Sequence, residues 1–80
     1  MERVIYAVLD SGATYSIMNT KLANDLGLTI KPETGNLVTA SNEIISLIGY
    51  VDCELVIKGV KFKCSAKIFD AELPYDMLLG

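Results

Sequence analysis

Two runs of alternating apolar and polar residues, separated by Lys58-Gly59, constrain the fold of this chain more than any other feature. Residues 50–57 form the first run and residues 60–69 form the second. Side chains along a β-strand point alternately to its two faces, and a two-residue connection that contains glycine is typical of a hairpin turn. The sequence therefore predicts a long β-hairpin. The predicted facing pairs are Ile57 with Val60 and Cys53 with Cys64.

The rest of the chain predicts further strands and one short helix. The predicted elements are a strand at residues 3–9, a helix from Asn19 or Thr20 to Leu26, and a second hairpin with arms at residues 37–40 and 43–47. Gly27 is expected to end the helix, and Gly49 is expected to precede the next strand. With 80 residues, the chain is expected to form a single all-β domain over residues 1–80.

The composition argues against several classes of function. The chain carries 7 Lys and Arg residues against 10 Asp and Glu, so we expect neither nucleic acid nor a membrane as a partner. No run approaches the roughly 20 apolar residues of a membrane span, and we expect a cytoplasmic protein. The absence of histidine argues against a Ser–His triad and a zinc site, and we expect no metal or cofactor. Any catalytic chemistry near neutral pH is then expected to come from carboxylates, lysines or tyrosines.

Asp10-Ser11-Gly12 follows the apolar run at residues 3–9 and is the candidate catalytic motif. A turn at the end of a strand would fix the carboxylate, Ser11 offers a hydroxyl to its outer oxygen, and Gly12 allows close approach of a backbone N–H. The tripeptide also occurs in ordinary turns, where Asp and Ser only cap the backbone. The tripeptide alone therefore favours the ordinary turn, and only its context can favour a catalytic role.

A pair of carboxyl groups can hydrolyse a peptide bond. One ionised carboxylate accepts a proton from water, while a second, protonated group polarises the scissile carbonyl. Two carboxyl groups about 3 Å apart cannot both ionise, so they share one proton and titrate as a pair. Asp10 is our candidate for such a group.

Several segments of the chain, in the same order, resemble the retropepsin family of aspartic proteases, particularly those of long-terminal-repeat retrotransposons and their domesticated relatives. Residues 7–14 (AVLDSGAT) resemble the catalytic strand and turn. The other matching segments are Ser16-Ile17 with Leu22-Ala23 and Leu26-Gly27-Leu28, then Val60-Lys61-Phe62 with residues 66–70 (AKIFD), and finally residues 75–80 (YDMLLG). The resemblance implies an all-β closed barrel of acid-protease type, with a flap hairpin and one short helix.

The resemblance also implies a role for the motif. Asp10 would be the catalytic aspartate, supported by Ser11 and Gly12, and its partner would be Asp10 of a second copy in a homodimer. Water would attack the bonds of an extended peptide or polyprotein directly, and the hairpin from Val38 to Ile45 would be the flap. The implied substrate-binding residues are Val8, Ala13, Val38, Ala40, Ser41, Ile44 and Ile45.

Members of the family normally carry a strand before the catalytic one and further elements after the closing glycine. We therefore expect a core trimmed at both ends, which would associate weakly or dimerise in another way, and would cleave slowly. Two alternatives remain: a domesticated dimeric protease of the ubiquitin-shuttle type, and a catalytically silent dimerisation or peptide-binding module of the same fold. The intact residues 10–13 favour an enzyme, because no structural need explains that carboxylate.

Three other features have simpler interpretations. Cys53 and Cys64 are expected to be reduced and to act as small core residues, because a directly cross-strand disulfide is strained. Asp76 lacks the Ser/Thr-Gly that would orient a catalytic carboxylate, so we expect a role in a turn. The third feature is a row of lysines expected on the solvent face of one strand: Lys61, Lys63 and Lys67.

Overall fold

The computed structural model describes residues 4–12, 14–38 and 41–80. Within these ranges the chain forms seven strands and one short helix, which confirms the predicted all-β class. In chain order they are β1 (Ala7–Leu9), β2 (Ser16–Met18), α1 (Thr20–Asp25), β3 (Lys31–Pro32), β4 (Asn36–Val38), β5 (Ile44–Ile57), β6 (Val60–Phe69) and β7 (Met77–Leu79). Over the described residues, no helix has the length and apolar character needed to cross a membrane.

The β5–β6 hairpin has the predicted register, with Ile57 opposite Val60 and Cys53 opposite Cys64. The backbone φ angles of the connecting residues Lys58 and Gly59 are 51° and 79°. Positive φ at both central residues is the signature of the tight turn whose twist matches that of the flanking strands. The alternating pattern and the turn residues therefore determine this hairpin locally.

One strand boundary was predicted wrongly. The sequence suggested an arm at residues 43–47, a break at Gly49 and a new strand from residue 50, whereas β5 is continuous over 14 residues. The register with β6 shifts between Leu47 and Gly49, which marks a bulge or a similar irregularity. A bulge bends a strand without ending it, so the glycine lies inside the strand instead of preceding it.

Helix α1 lies where the sequence predicts it. The Asn19 side chain accepts the Lys21 N–H at 2.9 Å and caps the first turn. Gly27, with φ of 68°, follows the last turn. Leu22 and Ala23 are the buried residues of the helix and face the core. The cap, the stop and the apolar face agree, which explains why so short a helix could be predicted.

The sheet brings the two ends of the described chain together. Its hydrogen-bonded path is β1-β7-β2-β6-β5-β3, and β4 pairs with β5 outside this path. Strand β7 runs parallel to β1 and antiparallel to β2, so it lies between two strands from the start of the chain. The buried core consists of Met18, Leu22, Ala23, Val51, Ala66, Ile68 and Met77. The residues that follow β1 are consequently placed beside the residues that follow β7.

Strand β1 is shorter than predicted. The sequence suggested residues 3–9, but residues 4–6 are not part of a strand, and residues 1–3 lie outside the described ranges. Strand β7, the neighbour of β1 in the path, has only three residues, and β1 pairs with all of them. The length of β1 therefore matches that of its partner.

Two lysines of the sheet form ion pairs, whereas the predicted row of lysines was expected only to face solvent. Lys67 is half-buried, lies 2.8 Å from the Glu33 carboxylate and has its ammonium 5.5 Å from the centre of the Tyr15 ring. Lys31 and Asp52 form a second ion pair at 2.7 Å, and the hydrogen bond from Lys31 lowers the pKa of Asp52. The expectation of a purely solvated lysine is therefore wrong for Lys67, which links β6 to the connection after β3.

Cys53 and Cys64 are free thiols that face each other and are each half-buried. Burial, and after it the neighbouring Cys64, together raise the pKa of the Cys53 thiol to about 11. The folded state therefore favours the neutral thiol. The neutral thiol therefore contributes to the free energy of unfolding. The contribution is fully present below the ordinary pKa of about 9 and is lost as the pH rises through about 11.

At pH 8, iodoacetamide should alkylate Cys53 about 100-fold more slowly in the folded chain than in urea, because only the thiolate reacts. Peptide mapping by mass spectrometry over a time course would measure the rate at this cysteine separately from that at Cys64. The folded rate should rise with pH towards a midpoint near 11. A folded rate within threefold of the unfolded rate would contradict this expectation.

Candidate active site

Asp10 is the first residue after β1, and its backbone is fixed by β7. The Asp10 N–H donates a hydrogen bond to the Leu79 carbonyl oxygen at 2.9 Å, which extends the parallel pairing of Leu9 with Leu79 by one step. The chain then turns at Ser11 and Gly12, and all three residues of the motif are exposed. The structure thus places the carboxylate on a turn at the end of a strand, as the sequence suggests.

Gly12 orients the carboxylate of Asp10. Its N–H donates to Oδ1 of Asp10 at 3.0 Å. A Cβ atom at this position would lie 3.3 Å from the same oxygen, so any side chain would crowd the carboxylate. A fixed backbone donor leaves the second oxygen, Oδ2, available to other groups. The hydroxyl role of Ser11 stays a prediction, and Ala13 lies outside the described residues.

Apolar residues make up the strand that leads to Asp10 and the segment before it. Val8, predicted to line the substrate site, is half-buried, whereas Leu9 is 77% exposed. Tyr6 and Val4, which precede the strand, are 68% and 97% exposed. The carboxylate is therefore adjacent in the chain to large hydrophobic side chains that the described part of a single copy leaves in contact with solvent.

Strands β4 and β5 form the second predicted hairpin. Val38 pairs with Ile44 and Leu37 with Ile45, and the Leu47 N–H donates to the Gly35 carbonyl oxygen at 3.0 Å. Val38 and Ile44 are 61% and 70% exposed, and Ile45 is half-buried. The hairpin is therefore present, with an apolar pair near its end.

The tip of this hairpin is partly described. Ser41 is exposed, and Asn42 has a φ of 64°, in the left-handed region that asparagine tolerates better than most residues. Ala40, another predicted substrate-binding residue, lies outside the described residues. The described site residues thus fall into two groups. One group lies on β1 and the turn after it, and comprises Val8, Asp10, Ser11 and Gly12. The other lies on the hairpin, and comprises Val38, Ser41, Ile44 and Ile45. The role of the hairpin as a flap stays a prediction.

Sequence reasoning missed the polar contacts behind the turn. Asp76, for which only a role in a turn was expected, accepts the Tyr6 N–H at 2.8 Å through Oδ2. The Gly80 N–H donates to the Ser16 hydroxyl oxygen at 3.3 Å. Both contacts join residues more than 60 positions apart. No local signal predicts such pairs, because they depend on the position of β7 between β1 and β2.

Comparison with known protein families identifies the chain. The model of the aspartyl protease family Asp_protease_2 matches residues 2–80, which include the whole Asp10 turn and the closing strand β7. No curated protein and no solved structure matches the chain significantly. The family match agrees with the all-β architecture and with a carboxylate held on a turn after the first strand. The chain therefore belongs to an aspartyl protease family of retropepsin type.

Proposed function

We propose that this chain is one half of a homodimeric aspartic endopeptidase, in which the Asp10 carboxyl groups of two copies bind and activate one water molecule. The observation that carries the proposal is the geometry of the turn, where the Gly12 N–H holds Oδ1 of Asp10 at 3.0 Å. The peptide-hydrolase chemistry of the family supports it. Each chain supplies one motif of this kind, so two copies would complete the catalytic pair.

The mechanism follows from the protonation states of the pair. The ionised Asp10 accepts a proton from water, whose oxygen forms a bond to the carbonyl carbon of the substrate. The protonated Asp10 of the second copy donates its proton to the carbonyl oxygen, giving a neutral tetrahedral diol. The first Asp10 then gives its proton to the amide nitrogen, while the now ionised Asp10 of the second copy takes a proton from one hydroxyl of the diol, so the C–N bond breaks to yield a carboxylic acid and an amine. No covalent bond to the protein forms.

Exposed hydrophobic surface supports a second copy as the partner. Leu9 lies next to Asp10 in the chain, and Tyr6 and Val4 precede it, all three largely exposed. Clusters of exposed apolar side chains mark interaction surfaces. An 80-residue domain also gains from oligomerisation, because so small a core buries a limited fraction of the unfolded surface. A dimer that brings the two turns together would cover these side chains and exclude water from the carboxyl pair.

The β4–β5 hairpin supports an extended, apolar peptide as the substrate. Val38 and Ile44 form an exposed apolar pair, and Ile45 and Ser41 flank it. A peptide bound as an added strand would present alternate side chains to such residues and to Val8. By resemblance to retroelement proteases, we propose that the natural substrate is a polyprotein cleaved in the cytoplasm, where two reduced cysteines are expected.

The test combines sedimentation with cleavage of a fluorogenic peptide that has apolar residues on both sides of the scissile bond. Below the dissociation constant of the dimer, the cleavage rate should rise with the square of the chain concentration, and pepstatin should inhibit it. The concentration at which the rate becomes linear should match the monomer–dimer midpoint in sedimentation. Linear, pepstatin-sensitive cleavage by a chain that sediments as a monomer would overturn the dimeric site. If a chain that sediments as a dimer does not cleave the peptide, the proposal that the protein is an enzyme would be overturned.

A further inference from the structure

Asp76 lies directly before β7 and connects this strand to the segment that carries Asp10. Its Oδ2 atom accepts the Tyr6 N–H at 2.8 Å, although the two residues are 70 positions apart. The Tyr6 carbonyl oxygen in turn accepts the N–H of Asp76 at 3.1 Å and that of Met77 at 3.3 Å. Tyr6 is therefore held, through both its donor and its acceptor, by one short segment.

Asp76 is itself attached to the core through the N-cap of α1. The Asn19 N–H donates to the Asp76 carbonyl oxygen at 2.8 Å. The side-chain amide of Asn19 also donates to the carbonyl oxygens of Leu73 and Tyr75, each at 3.4 Å. Asn19 joins β2 to α1, and both elements contribute buried residues to the core. Hydrogen bonds through Asp76 thus fix the backbone of Tyr6 relative to the core.

Strand β1 depends on such bonds because its side chains bury little surface. Ala7 and Leu9 are exposed, and Val8 is half-buried. The strand pairs with β7 over three residues only, and the Asp10 N–H closes the far end by donating to Leu79. A slip of one residue along β7 would turn every side chain to the opposite face, including that of Asp10.

We propose that the Asp76 carboxylate is a positioning residue for Asp10, because it fixes the start of β1 and so sets the register of this strand on β7. At about 3.3 Å per residue, Tyr6 and Asp10 lie roughly 13 Å apart along one short strand, so a displacement at the start reaches the catalytic turn. A charged acceptor holds a backbone N–H more tightly than a neutral one. The catalytic consequence rests on the proposed function, whereas the structural one does not.

The experiment compares Asp76→Ala, which removes the acceptor, with Asp76→Asn, which keeps a side-chain oxygen for the Tyr6 N–H. Glu72→Ala, at an exposed position in the same loop, is the matched control. In Asp76→Ala we expect kcat to fall roughly 10- to 100-fold with little change in KM, since small misplacement of a reacting group has effects of this size. Asp76→Asn should keep kcat within about threefold, as the retained hydrogen bond predicts.

Amide hydrogen exchange measured by NMR provides a readout that does not require activity. In Asp76→Ala, the amides of Tyr6 and Asp10 should exchange at least 10-fold faster, while that of Ala66 in the core should be unchanged. Unchanged protection of Asp10 would overturn the proposal, as would an equal loss at Ala66, which would indicate a general loss of stability. Asp76→Asn with normal protection but the reduced kcat of Asp76→Ala would also overturn it. If the unaltered chain cleaves no peptide, the proposed function fails, while the exchange data still decide this inference.

Discussion

Replacing Asp10 by Asn is expected to lower the kcat of peptide cleavage by about 10³-fold or more. An amide neither accepts a proton from water nor shares one with a second carboxyl group, so both copies in the proposed dimer would lose their acid–base function. The amide oxygen still accepts the Gly12 N–H, which means that the turn should keep its geometry. Initial rates should be measured at a chain concentration where sedimentation shows the dimer.

Asp70→Asn is the matched control for this substitution. Asp70 is an exposed aspartate at the end of β6, and the same change of charge there should leave kcat within about twofold. Binding of pepstatin or of a fluorescent apolar peptide separates the enzyme from a silent binding module. An enzyme should lose cleavage in Asp10→Asn and keep its ligand. Equal cleavage by Asp10→Asn and the unaltered chain would show that Asp10 is not catalytic.

The elements that the sequence predicted well are those determined by neighbouring residues. The alternation on both sides of Lys58-Gly59 was sufficient for the register of β5 and β6, and the Asn19 cap with Gly27 was sufficient for α1. The same is true of the Asp10 turn, whose key hydrogen bond joins residues two positions apart. Local geometry decides these features, so a single sequence contains them.

The features that could not be predicted depend on contacts between distant parts of the chain. Strand β2 has three residues, too few for a periodic pattern, and exists because it pairs with both β6 and β7. The bond from Tyr6 to Asp76 requires β7 to lie beside β1. Gly49 was expected to precede a strand. Its burial within β5 depends on the packing of β3 against it, which no local pattern indicates.

Gly49 is the residue where a side chain would meet the backbone of another strand. It is buried at the register shift between β5 and β6 and pairs with Pro32 of β3. A Cβ atom built here would lie 2.2 Å from the Lys31 carbonyl oxygen and 2.9 Å from Cγ2 of Ile30. The carbonyl belongs to the backbone and cannot rotate away, so a side chain would force β3 and β5 apart. This close approach supports the junction between the β4–β5 hairpin and the long β5–β6 hairpin.

Gly49→Ala is therefore expected to destabilise the chain by about 3 kcal/mol, at the upper end of the usual cost of overpacking. The expected decrease in Tm is roughly 10–20 °C for a domain of this size. Gly35→Ala is the matched control, because its Cβ atom would lie 3.4 Å from Cδ2 of Leu47, an ordinary contact, and should change the free energy of unfolding by less than about 0.5 kcal/mol. Urea unfolding followed by circular dichroism would measure both variants. Equal stability of the two variants would show that β3 does not approach β5 this closely in solution.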